Sequence, residues 1–423
     1  MPCFAVAAAC GGQNSLKSAR RWFLMKIGIY GGSFNPPHLG HLAAARAAMN
    51  ALGLDKLVFV PAGDPPHKRL AEGSPSPAQR LELTRIAADQ LLLPEVTEVW
   101  DAEVRREGKS YTADTLALAA ERWPGDELWL LMGTDMFLTL HDWVEPEKIL
   151  ALAKVCAFGR SAADDAAVFA PQRERLARDY HAGVTIISIP DLVDISSTRL
   201  RELLAGGGGR EFLSPAVYGY ILREKLYGTA ADLKRLSLDE LRCVSYSMVF
   251  ARRLAHIKGC EEEAARLAVR WGADEEKLRR AAILHDCTKY LTREEHLDIC
   301  DRYGAPLEAL ERATDKLLHA KSGAALAKHI FGQEPEVCRA ICYHTTARAG
   351  MSLEEKILYV ADYMEPNRDF PEVEELRRLA YTDLDRAVGM GAALSIQEMV
   401  RRDKELHHDT QGAYEFYGKG IKA

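Results

Sequence analysis

The sequence predicts an α/β unit on a doubly wound parallel sheet, followed by an all-α unit. Three observations predict it. Short β-branched or aromatic runs alternate with helical patterns from Met25 to about Gly228. The strand signal nearly vanishes after Ala231, where helical periodicity dominates. A chain of 423 residues also exceeds what one hydrophobic core usually organises.

Residues 27–30, 57–60, 128–132, 155–158 and 184–189 read as strands, and residues 42–52, 79–92 and 112–122 as helices between them. That alternation gives a parallel sheet with helices on both faces. Ligands of such sheets sit at the carboxyl ends of the strands, where strand order reverses. In the second part, residues 238–253, 261–269, 277–284, 317–330, 337–343 and 353–364 read as helices. Gly228-Thr229-Ala230 is the natural joint, so the expected units are 25–228 and 231–423.

Composition bounds the function. The chain is 48% apolar and 27% charged, as in ordinary globular proteins. A net charge of −6 argues against a broad nucleic-acid surface, while leaving room for small anions in local basic pockets. No stretch approaches the ~18 uncharged apolar residues of a membrane helix. Nine cysteines without a C-x-x-C pair read as reduced thiols and suggest the cytoplasm. Cys338 and Cys342 could share a helix face and bind metal, but small buried hydrophobes are the simpler reading.

The first 24 residues are apolar from Cys3 to Cys10, with Lys17, Arg20 and Arg21 following instead of preceding, the wrong order for a secretory signal. The expectation is that translation begins at Met25 and that residues 1–24 are a non-native or disordered leader outside the fold.

The segment Gly31-Gly32-Ser33-Phe34-Asn35-Pro36-Pro37-His38-Leu39-Gly40-His41 follows the first strand and opens the first helix. Helix N-termini favour anions, and paired glycines let main chain approach phosphate closely. His38 and His41, three residues apart, fall near one face of a first helical turn. Two imidazoles there can stabilise charge on a departing pyrophosphate. Late in the same unit, Ile195-Ser196-Ser197-Thr198-Arg199-Leu200-Arg201 places hydroxyl residues where a helix begins. They cap that helix and make a second anion site.

The first segment resembles the H-x-G-H signature of the nucleotidyltransferase superfamily, which implies a Rossmann-like fold. The second is similar to that superfamily's I-S-S-T-x-x-R element for ATP phosphates. By this resemblance Gly31, Gly32, Ser33, Phe34, His38, His41, Ser196, Ser197, Thr198 and Arg201 bind ATP, and His38 and His41 are catalytic. Asp64-Pro65-Pro66-His67-Lys68, Gly108-Lys109-Ser110-Tyr111-Thr112-Ala113-Asp114-Thr115-Leu116, Gly133-Thr134-Asp135 and Trp143 resemble bacterial nicotinate-nucleotide adenylyltransferases. The resemblance runs from Lys26 to Tyr227. It implies that Lys68, on a loop, lies near the mononucleotide, that Thr112 and Trp143 hold the nicotinate ring, and that Asp135 lies near a sugar. A cationic pyridinium over Trp143 would make a favourable cation–π contact. The family commonly has an aromatic after this tryptophan, where this chain has Val144. The implied reaction is in-line adenylyl transfer from ATP to nicotinate mononucleotide, with no protein nucleophile and with Mg²⁺ carried by the triphosphate.

In the second part, His285-Asp286 ends the apolar run Ala281-Ala282-Ile283-Leu284, and His319, His344 and Asp362 each lie in or beside another apolar helical stretch. Unpaired polar groups there are costly. Imidazoles and carboxylates converging from several helices suit Fe, Mn or Zn. The set resembles the HD-domain metal phosphohydrolases. Met351-Ser352-Leu353, residues 357–362 and Glu365-Pro366-Asn367-Arg368 are similar to bacterial HD proteins that hydrolyse diadenosine tetraphosphate to two ADP, over about residues 238–385. That implies His285, Asp286, His319, His344 and Asp362 as metal ligands, Asp286 as catalytic as well, and Lys289 and Arg368 as polyphosphate contacts.

One departure stands out. The family has a histidine on its first helix as a ligand, and here Tyr246 stands at the expected place. His256, ten residues on, is about 280° around an ideal helix, so it is not expected to substitute. Three readings stay open: a fused enzyme with both activities, an adenylyltransferase carrying a non-catalytic HD sensing or assembly module, and a transferase for another acceptor such as phosphopantetheine. The sequence does not give the oligomeric state.

Overall fold

The computed structural model describes residues 24–65, 70–159, 168–189 and 195–421. Six strands, β1 Lys26–Gly32, β2 Lys56–Pro61, β3 Thr97–Val99, β4 Glu127–Gly133, β5 Lys154–Gly159 and β6 Val184–Ser188, form one sheet of order β3-β2-β1-β4-β5-β6. Every pairing is parallel. Both faces are covered, as parallel sheets require. Ile27, Ile29, Val58 and Val60 enter the core on one side, while Tyr30, Leu57, Phe59 and Leu131 enter the core on the other. This is the period-two alternation of strand side chains.

Five of the six strands coincide with sequence expectations. The exception is β3, a three-residue, half-buried strand too short to show a period.

The helices of this half are α1 Leu39–Leu52, α2 Pro77–Asp89, α3 Thr112–Arg122, α4 Thr134–Leu138, α5 Pro146–Leu152, α6 Ala170–Tyr180, α7 Ser197–Ala205 and α8 Pro215–Arg223. Strand order reverses between β1 and β4, so the β1–α1 connection leaves the sheet at the switch point.

Among the described residues the remainder is helical: α9 Leu238–Tyr246, α10 Leu254–Trp271, α11 Glu275–Leu284, α12 Arg293–Tyr303, α13 Ala309–Ala313, α14 Asp315–His329, α15 Pro335–Tyr343, α16 Leu353–Met364, α17 Val373–Thr382, α18 Leu384–Arg401 and α19 His408–Tyr417. The centre is α16, whose Ile357, Leu358, Tyr359, Val360 and Ala361 are all fully buried. A helix apolar around most of its circumference belongs inside.

The expected helix over 238–253 ends at Tyr246. Beyond Tyr246 the Ser247 hydroxyl donates to Val244 O at 2.7 Å, a local bond that competes with helix continuation. The Ala251 amide donates to the Asp89 carboxylate across the molecule. A short 3-10 turn, Ala251–Arg253, then starts α10 in a new direction.

Both halves share α8. Val217, Tyr220 and Ile221 join a cluster with Leu83, Leu200 and Leu204, whereas Leu222 belongs to the core with Leu236, Leu241 and Val244. At the crossing with α9, a Cβ on Gly219 would lie 1.8 Å from Cys243 O. Glycine is therefore needed for the backbones to approach. Gly219→Ala is expected to destabilise the chain by about 3 kcal/mol through overpacking, read as an earlier urea midpoint. A midpoint unchanged from the parent chain would refute the packing account.

Candidate functional sites

At the switch point, His38 is the N-cap of α1 and His41 its third residue. The His38 amide donates to His41 Nδ1 at 3.1 Å, and the rings lie 3.8 Å apart between centroids. Because Nδ1 of His41 accepts, its proton sits on Nε2. Burial lowers the His38 imidazole to about 4. Burial, then the neighbouring His38, holds His41 well below its ordinary range. Both rings are neutral near pH 7 before any phosphate arrives. A Cβ on Gly31 would meet nothing within 4 Å, so the space beside that backbone is open.

The two phosphate-type segments meet. Arg201 Nη1 donates to Asn35 O at 2.8 Å, Arg201 Nη2 to Thr198 Oγ1 at 3.1 Å, and the Ser197 hydroxyl to Pro36 O at 3.4 Å. Ser196 caps α7 by accepting from the Arg199 amide at 3.2 Å. Segments more than 160 residues apart therefore form one wall.

Arg80, fully buried, braces the floor. It donates to Ser33 O at 3.0 Å, to Ala62 O at 2.6 Å and to Gly63 O at 2.9 Å. It ties the β1–α1 turn to the end of β2. Sequence reasoning missed Arg80 because its partners lie 17 to 47 positions away and nothing in its own helix marks it.

The acceptor-side residues lie on neighbouring elements. Thr112 is the first residue of α3, Asp135 lies exposed in the first turn of α4 after β4, and Trp143 follows a 3-10 turn leading into α5. α3 and α5 pack together, with Lys148 Nζ 3.9 Å from Asp114 Oδ1. The Ser110 amide donates to Asp64 O at 3.0 Å, joining the loop after β2 to the start of α3. Glu103, pushed up to about 7 by burial, accepts from Thr115 Oγ1 at 2.7 Å and fastens the same segment. Lys68 lies outside the described residues.

In the helical half, His285, Asp286, His319, His344 and Asp362 converge, and His256 joins them. This corrects the expectation that Tyr246 leaves a ligand position vacant. His256 Nε2 is 3.2 Å from His285 Nε2 and 3.1 Å from Asp362 Oδ1. The 280° argument assumed one continuous helix, and the break after Tyr246 removes that premise. Tyr246 instead packs with Ala216 and Ile257.

His319 Nε2 lies 3.1 Å from His344 Nε2 and 3.2 Å from Asp286 Oδ1. His256, His285 and Asp362 form one group with metal-ligand spacing, and His285, Asp286 and His344 another.

The tautomers test whether a metal fits. His285 Nδ1 pairs with Ala282 O at 2.6 Å, His344 Nδ1 with Ile341 O at 2.7 Å and His256 Nδ1 with the Glu365 carboxylate at 3.1 Å. Each acceptor takes the proton on Nδ1, so three Nε2 atoms face one another beside two carboxylates, and against its burial the Asp286 and Asp362 carboxylates raise His285 above its ordinary value. Burial, then His319 and His285, keeps His344 well below its ordinary value. Imidazoles and carboxylates converging in this way suit a transition metal.

Glu365, named in its motif but given no role from sequence, is a further member of the site. It is buried and held by the Asn367 amide at 2.8 Å, and it positions His256. Lys289 Nζ reaches Asp286 Oδ1 at 3.3 Å and Arg368 Nη2 reaches Asp362 Oδ1 at 2.6 Å. Arg253, absent from the expected set, donates to Asp286 Oδ2 at 2.6 Å. No described helix is long and apolar enough to cross a membrane.

Comparison with known proteins matches this division of chemistry. A cytidylyltransferase-like family model matches residues 29–203 and an HD domain model matches residues 253–367. The chain is 38% identical over 206 residues to the probable nicotinate-nucleotide adenylyltransferase of Shouchella clausii, covering 48% of this chain and 98% of that protein. It is 38% identical over 183 residues to the symmetrical bis(5'-nucleosyl)-tetraphosphatase of Bacillus subtilis, covering 43% of this chain and 97% of that protein. Among solved structures, a protein of Clostridium acetobutylicum described as a predicted HD superfamily hydrolase involved in NAD metabolism is similar at 37% identity, with a TM-score of 0.42, over 44% of this chain and 98% of that one. The Plasmodium falciparum nicotinic acid mononucleotide adenylyltransferase complexed with NaAD is 21% identical, with a TM-score of 0.41, over 49% of this chain and 98% of that one. The chain belongs to the nicotinate-nucleotide adenylyltransferase family through its sheet-bearing half and to the HD-domain family of the symmetrical tetraphosphatases through its helical half.

Proposed function

We propose that residues 25–228 transfer the adenylyl group of ATP to nicotinate mononucleotide, giving deamido-NAD and pyrophosphate, and that residues 231–423 hydrolyse diadenosine tetraphosphate to two ADP. The observation that carries the first reading is the convergence of His38, His41 and the α1 N-terminus with the wall made by Arg201. The mononucleotide phosphate oxygen attacks the α-phosphorus of ATP as the bond to pyrophosphate breaks. His38 and His41 donate to phosphate oxygens, while Thr112, Trp143, Asp135 and Lys68 seat the acceptor. Mg²⁺ accompanies the triphosphate and offsets its charge.

For the second reading, His256, His285, Asp286, His319, His344 and Asp362 would hold a divalent metal, Fe, Mn or Zn. That metal would activate water and neutralise polyphosphate charge. Lys289 and Arg368 bind the flanking phosphates. A non-catalytic reading of this half rests on Tyr246 in a ligand's place; what supports the hydrolase reading is His256 Nε2, 3.2 Å from His285 Nε2 and 3.1 Å from Asp362 Oδ1.

The test gives the full chain ATP, nicotinate mononucleotide and Mg²⁺, and separately diadenosine tetraphosphate with Fe²⁺ or Mn²⁺. Deamido-NAD and ADP are the expected products. Failure to form either, in folded and metal-loaded protein, rejects the corresponding half.

The histidines set a pH expectation. His38 sits near 4 instead of 6.5, so stability from its neutral form is full above about pH 6.5 and is lost as pH falls towards 4. The free enzyme then has no His38 inflection between pH 5 and 8, and kcat/KM for ATP is flat with respect to it. An inflection near 6.5 that disappears in His38→Ala would contradict this.

A further inference from the structure

Phe250 and Tyr290 are 45% and 37% exposed, so neither serves as core. Their rings pack edge to face, with centroids 4.6 Å apart at 66°. The Arg252 guanidinium lies 4.9 Å from the first ring and 5.5 Å from the second. Each aromatic is carried by a backbone segment that also delivers a cation to the metal-binding aspartate. Tyr290 follows Lys289, whose Nζ is 3.3 Å from Asp286, and Phe250 precedes the turn bearing Arg253, whose Nε is 2.6 Å from Asp286. Followed from Asp286 through its ion pair and then along either segment, the order is carboxylate, cation, exposed aromatic. A nucleoside polyphosphate has the matching order of reacting phosphate, flanking phosphate and base.

We propose that Phe250, Tyr290 and Arg252 form a stacking platform for a nucleobase of the polyphosphate bound at the HD site. This assignment rests on the hydrolase reading above. Stacking uses the π face, which every base has, and Arg252 adds attraction for the attached phosphates. The platform selects for a base, and for the broad face of a purine over a pyrimidine, without reading its hydrogen-bonding edge. Diguanosine and diadenosine tetraphosphates therefore serve alike, and inorganic polyphosphate gains nothing from it.

The test measures kcat and KM for diadenosine tetraphosphate in the full chain carrying Phe250→Ala or Tyr290→Ala, and the Ki of inorganic tripolyphosphate as a base-free competitor. Each variant is expected to raise KM on the order of 10-fold, leaving kcat, metal content, melting temperature and that Ki unchanged. Tyr290→Phe restores the parent KM. An unchanged KM, or an equal loss for the base-free competitor, overturns the platform. If the parent chain does not hydrolyse the dinucleotide, the hydrolase reading fails by itself, and ADP binding by calorimetry then decides the platform. Tyr290→Ala is expected to weaken one class of ADP sites and leave the other, and identical isotherms overturn the assignment.

Discussion

His256→Ala is expected to lower metal occupancy of the full chain and to reduce dinucleotide hydrolysis by ~100-fold or more, whereas Tyr246→Phe changes neither. The reasoning starts from the lone pairs. His256 Nε2 faces His285 Nε2 at 3.2 Å and Asp362 at 3.1 Å, while Nδ1 is committed to Glu365. Alanine removes one donor and leaves Glu365, buried to 1% exposure, without its imidazole. Loss of a partner that only orients a ligand typically costs 10–100-fold in metal affinity, so loss of the ligand itself costs at least the upper end. Glu365→Gln, which keeps an oxygen acceptor for the ring N–H but drops the charge, falls within that lower range. Metal analysis of the purified variants decides the matter. Full occupancy in His256→Ala, or loss in Tyr246→Phe, would contradict the assignment of His256 as a ligand.

The second large effect concerns the transferase half. His38→Ala or His41→Ala is expected to cut kcat by about 10²–10³, the usual range for removing one donor to developing charge, with mononucleotide affinity changed far less. Both imidazoles are neutral and half-buried before substrate arrives, and a hydrogen bond to an anion in such a site is strong. Affinity for the mononucleotide should hold because Thr112 and Trp143 lie on α3 and before α5, separate elements from α1. Steady-state kinetics with deamido-NAD as the measured product provides the check. Turnover equal to the parent in either variant is incompatible with the assignment.

Contiguity decided what could be read from sequence. The 31–41 segment spells out strand, turn and helix start in one run, so the placement of both histidines at the switch point was legible. In the helical half, His285, Asp286, His319, His344 and Asp362 could be found because each is a polar residue in an apolar helix, where burial demands a partner. His256 was set aside because angular arithmetic holds only along an unbroken helix, and hydrogen bonds from the Ser247 hydroxyl to Val244 O and from the Ala251 amide to Asp89 break this one. Arg80 and Arg253 left no local signal, since their meaning comes from carbonyls and a carboxylate brought near by tertiary folding. The strand β3 escaped because three residues are too few for a period.

The helix α8 has a bearing on how this polypeptide comes apart. Severing the chain after Tyr227 would carry Leu222 and Gly219 away with the first piece and uncover Leu241 and Val244 on the second. The sheet-bearing and helical halves are thus expected to melt in one calorimetric transition, so that a destabilising substitution in either would lower the abundance of both.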